Sequence, residues 1–465
     1  MSTPHDWDDE AGFEDDVLPD APADEALDLP EDDQPQQLAL TPDGSVLTLT
    51  GPGAGTVTRP PQPTRPVTTT PANPQQQGTV QTRLATRDEA LDGQAPLLLV
   101  HRAYQKAQLL PRVLGSILAA TGGQTRLGAV TPLPRSTKDS NTTWLASCAA
   151  ASVRIADPMG FKLDPRIIPG EAPSPRSLGW WPYLASDPLN VADVLDAQRQ
   201  VGANLLLSPG RGIDPGDPQT SLDRAFAEAD QALSRLQSGE RLGLNITLPR
   251  AWLSTPVLRD RLLDQLLDQE QFDIWYLRVQ WPSTLRSTEQ PVEEAMLQGY
   301  KRLAQLAADE ERTLLLPQTG LTGWLQLGFG AAGFGSGLPG SDQAFKEPMG
   351  GGGGATPIER YFEPTLLHSV ERTVHDVLRA GAGYVPCACP YCPALHAAPD
   401  WRPELAALHH LHWMGRLAAD ASSTGRGGPG GAVRRTVRSA ISAAASQPLA
   451  GLSQPRHLAV WDRLL

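Results

Sequence analysis

Between residues 95 and 380, short apolar runs alternate with longer segments in which apolar residues recur at helical spacing. Short apolar runs bounded by turn residues are typical of buried strands, and the longer amphipathic segments are typical of helices. The predicted strands are Leu97–Val100, Leu127–Val130, Ser152–Ala156, Asn204–Leu207, Leu242–Leu248, Trp275–Val279, Thr313–Leu316 and Leu325–Phe329. The predicted helices are Gln105–Ala120, Val191–Val201, Thr220–Leu236, Pro256–Gln269, Pro291–Ala308 and Pro364–Ala380.

This alternation predicts an α/β protein whose parallel strands are connected by crossover helices. Eight strand signals within about 290 residues favour a closed (β/α)8 TIM barrel over an open doubly wound sheet. The glycine-rich run at 328–337 is not followed by Gly-Lys-Ser or Gly-Lys-Thr, and no Gly-x-Gly-x-x-Gly stands between a strand and a helix. We therefore expect this run to be a loop at the carboxyl-terminal mouth of the barrel and not a nucleotide-binding loop.

The net charge of −13 comes from one end of the chain. Residues 1–40 contain 14 acidic side chains and no lysine or arginine, which leaves 39 basic and 38 acidic groups in the remainder. The remainder therefore lacks the overall basic charge of many nucleic-acid-binding domains, although a local basic groove remains compatible with it.

The hydropathy pattern also indicates in which cellular compartment we expect the protein. No apolar run reaches the roughly 18–20 residues that span a bilayer. The acidic amino terminus lacks the basic and apolar regions of a signal peptide. We therefore expect a cytoplasmic protein with no membrane partner.

Three of the four cysteines lie within six residues, in Cys-Ala-Cys-Pro-Tyr-Cys at 387–392, and His409 follows 17 positions after Cys392. Three thiolates and one imidazole are the ligands of a closed tetrahedral structural zinc site. A disulfide is disfavoured because such close cysteines would form strained loops and because a reducing compartment is expected. The sequence thus predicts a structural Zn²⁺ bound by Cys387, Cys389, Cys392 and His409.

The predicted organisation has four parts. An acidic segment, then rich in Pro, Gln, Thr and Gly, occupies residues 1–92, and its composition predicts disorder with a short strand near 45–50. The barrel is expected at 93–380 and the zinc-binding segment at 381–420. A tail rich in Gly, Ala and Arg is expected at 421–465.

A barrel followed by Cys-x-Cys-x-x-Cys and a histidine-rich helix resembles the tRNA-guanine transglycosylase family over about residues 95–420. Enzymes of that family exchange guanine in a nucleic acid for a 7-deazaguanine through a covalent aspartyl-ribose intermediate, and one branch acts on DNA. The cysteines and His409 match the family's zinc ligands in order and type. The spacing before the histidine is shorter here, so three other histidines remain open as the fourth ligand: His396, His410 and His412.

A second match lies at 154–162, where Arg-Ile-Ala-Asp-Pro-Met-Gly-Phe-Lys resembles the family's Asp-Ser-Gly-Gly-Phe-Gln at a strand end. The resemblance implies that Asp157 lies beside the purine and ribose, with Gly160 and Phe161 in the substrate pocket. An aspartate that ends a strand in a barrel mouth can act as a base, and it can also simply cap a turn. Phe161 can likewise stack on a base or lie buried in a loop.

The likeness is weaker at the family's nucleophile. The motif Gly-x-Asp-x-Phe-Asp-x-x-x-Pro corresponds to residues 330–339, where the nucleophilic aspartate is replaced by Gly335. A glycine has no oxygen to attack a ribose, and Asp342 is the nearest replacement. The family's Gly-Leu-Ala-Val-Gly-Glu strand corresponds to 276–281, where none of its glycines or its glutamate is present. Arg278 and Gln280 end this apolar strand, so we expect them to face the mouth as substrate-binding residues that recognise a different base, or none.

Two hypotheses follow. The first is a nucleic-acid guanine transglycosylase, a pentosyltransferase acting on tRNA or DNA with a 7-deazaguanine base, in which Asp157 is central. The second is a catalytically inactive relative that binds nucleic acid or a partner subunit, as a homo- or hetero-oligomer. A zinc hydrolase is disfavoured because three cysteines and one histidine leave no coordination position for water.

Overall fold

The computed structural model describes residues 83–103, 107–186, 188–285, 289–338, 343–347, 359–422 and 427–465. It also gives the backbone of two short antiparallel strands, Leu38–Leu40 and Val46–Thr48, the second of which overlaps the strand predicted near 45–50. The disorder predicted for the rest of 1–82 falls outside the described residues.

Eight parallel strands form one sheet. They are β1 (Leu97–His101), β2 (Arg126–Pro132), β3 (Val153–Asp157), β4 (Leu206–Leu207), β5 (Leu242–Pro249), β6 (Ile274–Gln280), β7 (Thr313–Leu316) and β8 (Gly333–Gly337). Their order in the sheet is β3-β2-β1-β8-β7-β6-β5-β4. A single parallel bridge between Ile155 and Leu205 joins the two edges. The sheet is therefore nearly closed as a barrel, which confirms the predicted fold class.

The barrel is filled by alternate residues of its strands. On β1, Leu97 and Leu99 belong to the apolar cluster inside the barrel, whereas Leu98 and Val100 pack in the cluster with the outer helices. Successive side chains of a strand point to opposite faces, so this alternation fixes the register of β1. Because apolar side chains are buried on both faces of the sheet, the strand sequences are continuous apolar runs.

The helices are α1 (Arg87–Leu91), α2 (Leu110–Thr121), α3 (Lys138–Ser147), α4 (Pro175–Trp180), α5 (Val191–Gln200), α6 (Pro218–Leu233), α7 (Ala251–Ser254), α8 (Pro256–Leu267), α9 (Glu294–Asp309), α10 (Gly320–Leu327), α11 (Arg372–Ala380), α12 (Cys392–Ala397), α13 (Pro403–Ala421), α14 (Gly428–Ala445) and α15 (His457–Leu464). Five of the six predicted helices match α2, α5, α6, α8 and α9 with shifted ends. The prediction for Pro364–Ala380 holds only for α11, because the chain first forms a hairpin of β9 (Arg360–Glu363) and β10 (His368–Glu371).

The predicted eighth strand, Leu325–Phe329, is wrong. Its apolar residues end α10, which is buried on all sides and therefore lacks an amphipathic pattern. The true eighth strand is the glycine-rich segment Gly333–Gly337, which was predicted as a mouth loop. A Cβ on Gly333 would lie 2.6 Å from the carbonyl oxygen of Leu97, so this strand fits against β1 only without a side chain there.

The segment predicted as a C-terminal tail folds onto the barrel. Helices α14 and α15 bury Val433, Val437 and Trp461, and the Trp461 ring lies 6.4 Å from that of Trp324 on α10.

None of the helices in the described part of the chain combines the length and the apolar character that a membrane-spanning segment requires.

The folded part begins before the predicted boundary at 92. Helix α1 starts after a capping box formed by Thr86 and Glu89. It buries Ala90 and Leu91 against the cluster inside the barrel. Arg87 donates hydrogen bonds to the carbonyl oxygens of Asn204 (3.0 Å) and Gly239 (2.9 Å). Helix α1 therefore covers the amino-terminal end of the barrel.

We predict that two truncations will differ sharply. Removing residues 1–82 should leave the urea midpoint nearly unchanged, because an acidic, hydrophobe-poor segment contributes few packed contacts. Removing residues 1–92 should lower the free energy of unfolding by about 3 kcal/mol or more, since buried Leu91 is lost. Equal urea midpoints for the two truncated proteins would show that α1 contributes nothing to the free energy of unfolding.

Candidate functional site

The three clustered cysteines and His409 meet beside the barrel. Cys387 and Cys389 precede α12, Cys392 is its first residue, and His409 lies on α13. Their ligand atoms all lie within 4.8 Å of one another. His409 Nδ1 is 3.7, 3.3 and 3.2 Å from the sulfurs of Cys387, Cys389 and Cys392, respectively.

These distances suit one tetrahedral cation. Zinc bonds of the usual lengths place two sulfurs about 3.8 Å apart and a sulfur about 3.5 Å from a nitrogen. The Sγ atoms of Cys389 and Cys392 are 3.4 Å apart, and the sulfur-to-nitrogen distances bracket the expected value. The donor set is soft and complete, so the four residues can hold a metal ion with no position left for water.

Neighbouring groups orient the ligands. His409 Nε2 lies 2.8 Å from the carbonyl oxygen of Phe362, and donation to that oxygen leaves Nδ1 with its lone pair toward the sulfurs. Trp413 Nε1 donates to the Cys387 sulfur at 3.2 Å. The Tyr361 ring stacks on the His409 imidazole with centroids 4.3 Å apart.

The other three histidines have different environments. The Nε2 of His410 lies 3.4 Å from the Ser336 hydroxyl, and Nδ1 of His412 lies 3.2 Å from the Ser116 hydroxyl. The His396 ring packs against Tyr361 with centroids 5.6 Å apart. Within the described part of the chain, His409 is the histidine that joins the cysteines.

The thiols of Cys387 and Cys392 differ in pKa. Hydrogen bonds from Cys389 and Cys392 lower the pKa of the Cys387 thiol, and the corresponding contacts raise the pKa of Cys392. The fourth cysteine, Cys148, lies elsewhere, and burial raises the pKa of its thiol to about 12. Cys148 is therefore a buried, isolated thiol, whereas the other three cysteines lie close enough together to bind one metal ion.

Asp157 ends β3 at the barrel mouth, as predicted, but its carboxylate faces inward. It forms a buried ion pair with Arg278 of β6, and its other oxygen accepts a hydrogen bond from the Met159 amide at 2.9 Å. The two side chains are 3% and 1% exposed. Two charges this deeply buried require each other, because an isolated one would be costly to desolvate.

Arg278 lies in the barrel mouth, but its guanidinium is already bound by neighbouring side chains. Its guanidinium also donates to Gln318 Oε1 and Thr247 Oγ1, both at 3.2 Å. It lies over the rings of Phe161 at 4.9 Å and Phe345 at 5.6 Å. Arg278 therefore fills the mouth, and few of its N–H groups remain to donate hydrogen bonds to a ligand.

The remaining predicted pocket residues, Gly160, Phe161 and Gln280, are all buried. Phe161 is fully buried and meets Phe345 edge to face with centroids 5.2 Å apart, so it presents no ring to a base. A Cβ on Gly160 would lie 2.2 Å from the carbonyl oxygen of Pro209, which explains glycine at this close approach of two loops. Gln280 is 1% exposed, and its amide nitrogen has no hydrogen-bond partner among the described residues.

The space beside Asp157 is small. The cavity between it, His101, Arg102 and Gln318 measures about 10 Å³. That volume is about what one water molecule requires, whereas pockets for small ligands span several hundred Å³.

Gly335, which the sequence analysis aligned with a nucleophile, has no room for a side chain. A Cβ on Gly335 would lie 2.5 Å from His101 Nε2 and 2.8 Å from the amide nitrogen of Gln318. Burial lowers the pKa of His101 well below its usual value, and the charges of Arg278 and Arg135 lower it further. A neutral imidazole therefore fills the space. Asp342, the predicted replacement nucleophile, lies outside the described residues.

His101 and Arg135 also lie at the mouth and were not predicted from the sequence. Each follows an apolar strand, His101 as the last residue of β1 and Arg135 three residues after β2. A polar residue that directly ends an apolar strand is the signal that indicated Asp157, and the same signal indicates His101, whereas Arg135 lies beyond the end of its strand and carries no such signal.

Comparisons with known proteins do not assign this chain to a family. No family model and no curated protein matches the chain. A solved structure of a putative fructose-1,6-biphosphate aldolase from Coccidioides immitis is 13% identical and aligns with 75% of this chain and 98% of its own, at a TM-score of 0.33. A likeness this low carries no inference about chemistry.

Proposed function

We propose that this protein is a transglycosylase-like zinc barrel that does not exchange bases and instead binds nucleic acid or a catalytic partner. One observation carries the proposal. The residue at the expected nucleophile position is Gly335, and His101 occupies the space that its side chain would need. Without an oxygen there, no covalent ribose intermediate can form at that position.

The closed mouth supports the same conclusion. A base could reach Asp157 only after Arg278 was displaced from a buried pair, and breaking such pairs costs several kcal/mol. The contacts of Arg278 with Phe161 and Phe345 oppose that movement. In this proposal, the Asp157–Arg278 pair stabilises the core of the barrel and does not bind a base.

We further propose that the metal is zinc and that its role is structural. Cys387, Cys389, Cys392 and His409 would hold it, and their fit to a tetrahedral ion supports zinc over cations that prefer oxygen ligands. Bound there, zinc would cross-link the turn before α12 to α13 and supply no open position for catalysis.

The base-exchange enzyme is the second candidate. It is favoured by a carboxylate at the carboxyl end of β3, where barrel enzymes carry catalytic groups. On that account Asp157 would contact the base, and Asp342 would act as the nucleophile.

We predict no incorporation of labelled guanine or of a labelled 7-deazaguanine base into tRNA or DNA by the wild-type protein. The reason is the missing oxygen at Gly335. The assay is run beside Asp157→Asn and Asp342→Asn, and each variant is checked for folding by circular dichroism. Incorporation by the wild type that either substitution abolishes would establish the enzyme instead.

A further inference from the structure

A cleft with a volume of about 460 Å³ lies where the β9–β10 hairpin meets the carboxyl-terminal ends of α11 and α14. Glu363 and Thr365 line it on the hairpin side. Leu378 and the loop 381–385 line it on the α11 side, and Ala443 lines it on the α14 side. None of these residues lines the small cavity in the barrel mouth, so the cleft is a separate feature of the protein.

The three sides of the cleft are packed against one another. Leu366 and Val370 of the hairpin segment and Leu378 of α11 belong to one buried apolar cluster. Ala443 of α14 packs against the same cluster. Because the sides share this cluster, their relative positions are fixed before any ligand binds.

Glu363 places a buried carboxylate at this cleft. Its side chain is 6% exposed, and Oε1 accepts a hydrogen bond from Thr365 Oγ1 at 2.9 Å. Oε2 has no hydrogen-bond partner among the described residues. His375 Nδ1 lies 3.5 Å from it, but this contact lacks the alignment of a hydrogen bond. One oxygen of a buried carboxylate is therefore left for a donor from outside the chain.

The surroundings of that carboxylate favour a cation. Neither lysine nor arginine is among the described residues that line the cleft, and Arg379 of α11 pairs with Asp376 instead. Helices α11 and α14 both end at the cleft, and the carboxyl-terminal end of a helix carries a partial negative charge. Tyr384 also lines the cleft, with its ring centroid 6.0 Å from that of His375, and aromatic faces attract cations.

We propose that this cleft binds an organic ammonium ion, with the ammonium group on Glu363 and an apolar body against Leu378 and Ala443. The volume is that of a small-molecule site. A bare metal cation fits less well, because it requires several oxygen ligands and the cleft supplies a single carboxylate. The proposal does not depend on the proposed function, since the cleft shares no residue with the barrel mouth.

The test compares three ligands of equal length, n-hexylamine, n-hexanol and hexanoate, by ligand-observed NMR titration of the full chain at pH 7. Hexylamine is an ammonium ion at this pH, as a lysine side chain is. It should bind about tenfold more tightly than the alcohol, because a charged donor forms the stronger hydrogen bond with a carboxylate. Hexanoate should not bind, because the two carboxylates repel each other.

Two substitutions in the cleft should give different results. Glu363→Gln removes the charge at nearly constant shape, so it should weaken the binding of hexylamine about tenfold and leave that of hexanol unchanged. Ala443→Leu narrows the cleft from the α14 side and should weaken both ligands alike.

Two matched variants outside the cleft serve as controls. Glu310→Gln neutralises an exposed carboxylate directly after α9, and Ala445→Leu enlarges an exposed residue on α14. Both should bind hexylamine like the wild type. Urea unfolding checks that each variant is folded, and Glu363→Gln should not lower the midpoint, because a buried carboxylate without a counterion is costly.

A further ligand, Nα-acetyl-lysine methylamide, separates two sources of the ammonium group. Tighter binding of this compound than of hexylamine would indicate a lysine side chain of another protein, and weaker binding would indicate a free amine.

The proposal fails if hexanol binds as tightly as hexylamine, since the cleft would then accept apolar compounds regardless of charge. It fails equally if Glu363→Gln binds hexylamine like the wild type, or if Ca²⁺ binds at Glu363 and hexylamine does not. A lower urea midpoint for Glu363→Gln together with unchanged hexylamine binding would assign the carboxylate to a structural pair with His375.

Discussion

Cys389→Ser should remove the metal and most of the stability of the protein together. Cys389 is 2% exposed, and its sulfur lies between Cys392 at 3.4 Å and His409 Nδ1 at 3.3 Å. A structural zinc contributes on the order of 10 kcal/mol to the folding of small zinc domains, and whole domains are stable by only about 5–15 kcal/mol. We therefore expect less than one tenth of the wild-type metal content and loss of the cooperative thermal transition.

The matched control is Cys148→Ser. Cys148 is equally buried but lies at the end of α3, away from the metal ligands. This variant should keep about one zinc per chain and lose only about 1–2 kcal/mol of stability, because a hydroxyl replaces a buried thiol. Metal content is measured by mass spectrometry and unfolding by circular dichroism. A folded, metal-free Cys389→Ser protein with an unchanged transition would refute the structural role of the site.

Arg278→Met should lower the free energy of unfolding by about 3–5 kcal/mol. The substitution keeps an unbranched chain among Phe161, Tyr276 and Phe345 but leaves the Asp157 carboxylate buried without a counterion. Breaking a buried pair by removing one partner typically costs this much. The measurement is urea unfolding, with the zinc content verified to be that of the wild type.

The double variant Arg278→Met, Asp157→Asn provides the control. With the carboxylate neutralised, most of the lost stability should return, and the coupling between the two substitutions should be about 2 kcal/mol or more. If Arg278→Met alone unfolds like the wild type, the pair is not part of the core, and a ligand-binding role for Arg278 regains support.

Local patterns predicted more of this protein than long-range pairings did. Cys387, Cys389, Cys392 and His409 lie close in sequence, so their spacing alone indicated the metal site. Seven strands were visible as apolar runs. The eighth was not, because Gly333–Gly337 owes its place to close approach against β1 and has no apolar signature.

The chemistry of the mouth could be predicted only in part. The end of β3 at Asp157 was visible, but its partner Arg278 lies 121 residues away and meets it only because the barrel brings β3 and β6 to the same interior. The same holds for His101 and Gly335, which become neighbours through the pairing of β1 with β8. Helix α14 was missed because its Gly, Ala and Arg composition resembles a linker.

The central proposal is that this protein forms no covalent ribose intermediate, and intact-protein mass spectrometry tests it most directly. The wild-type protein is incubated with tRNA or with single-stranded DNA, and the reaction is quenched in denaturant. The nucleic acid is then digested with nuclease, and the mass of the intact protein is measured. We predict only the unmodified mass, because Gly335 offers no nucleophile and Asp157 is held by Arg278. An added nucleotide mass on the wild-type chain that is absent from Asp342→Asn or Asp157→Asn would contradict the account.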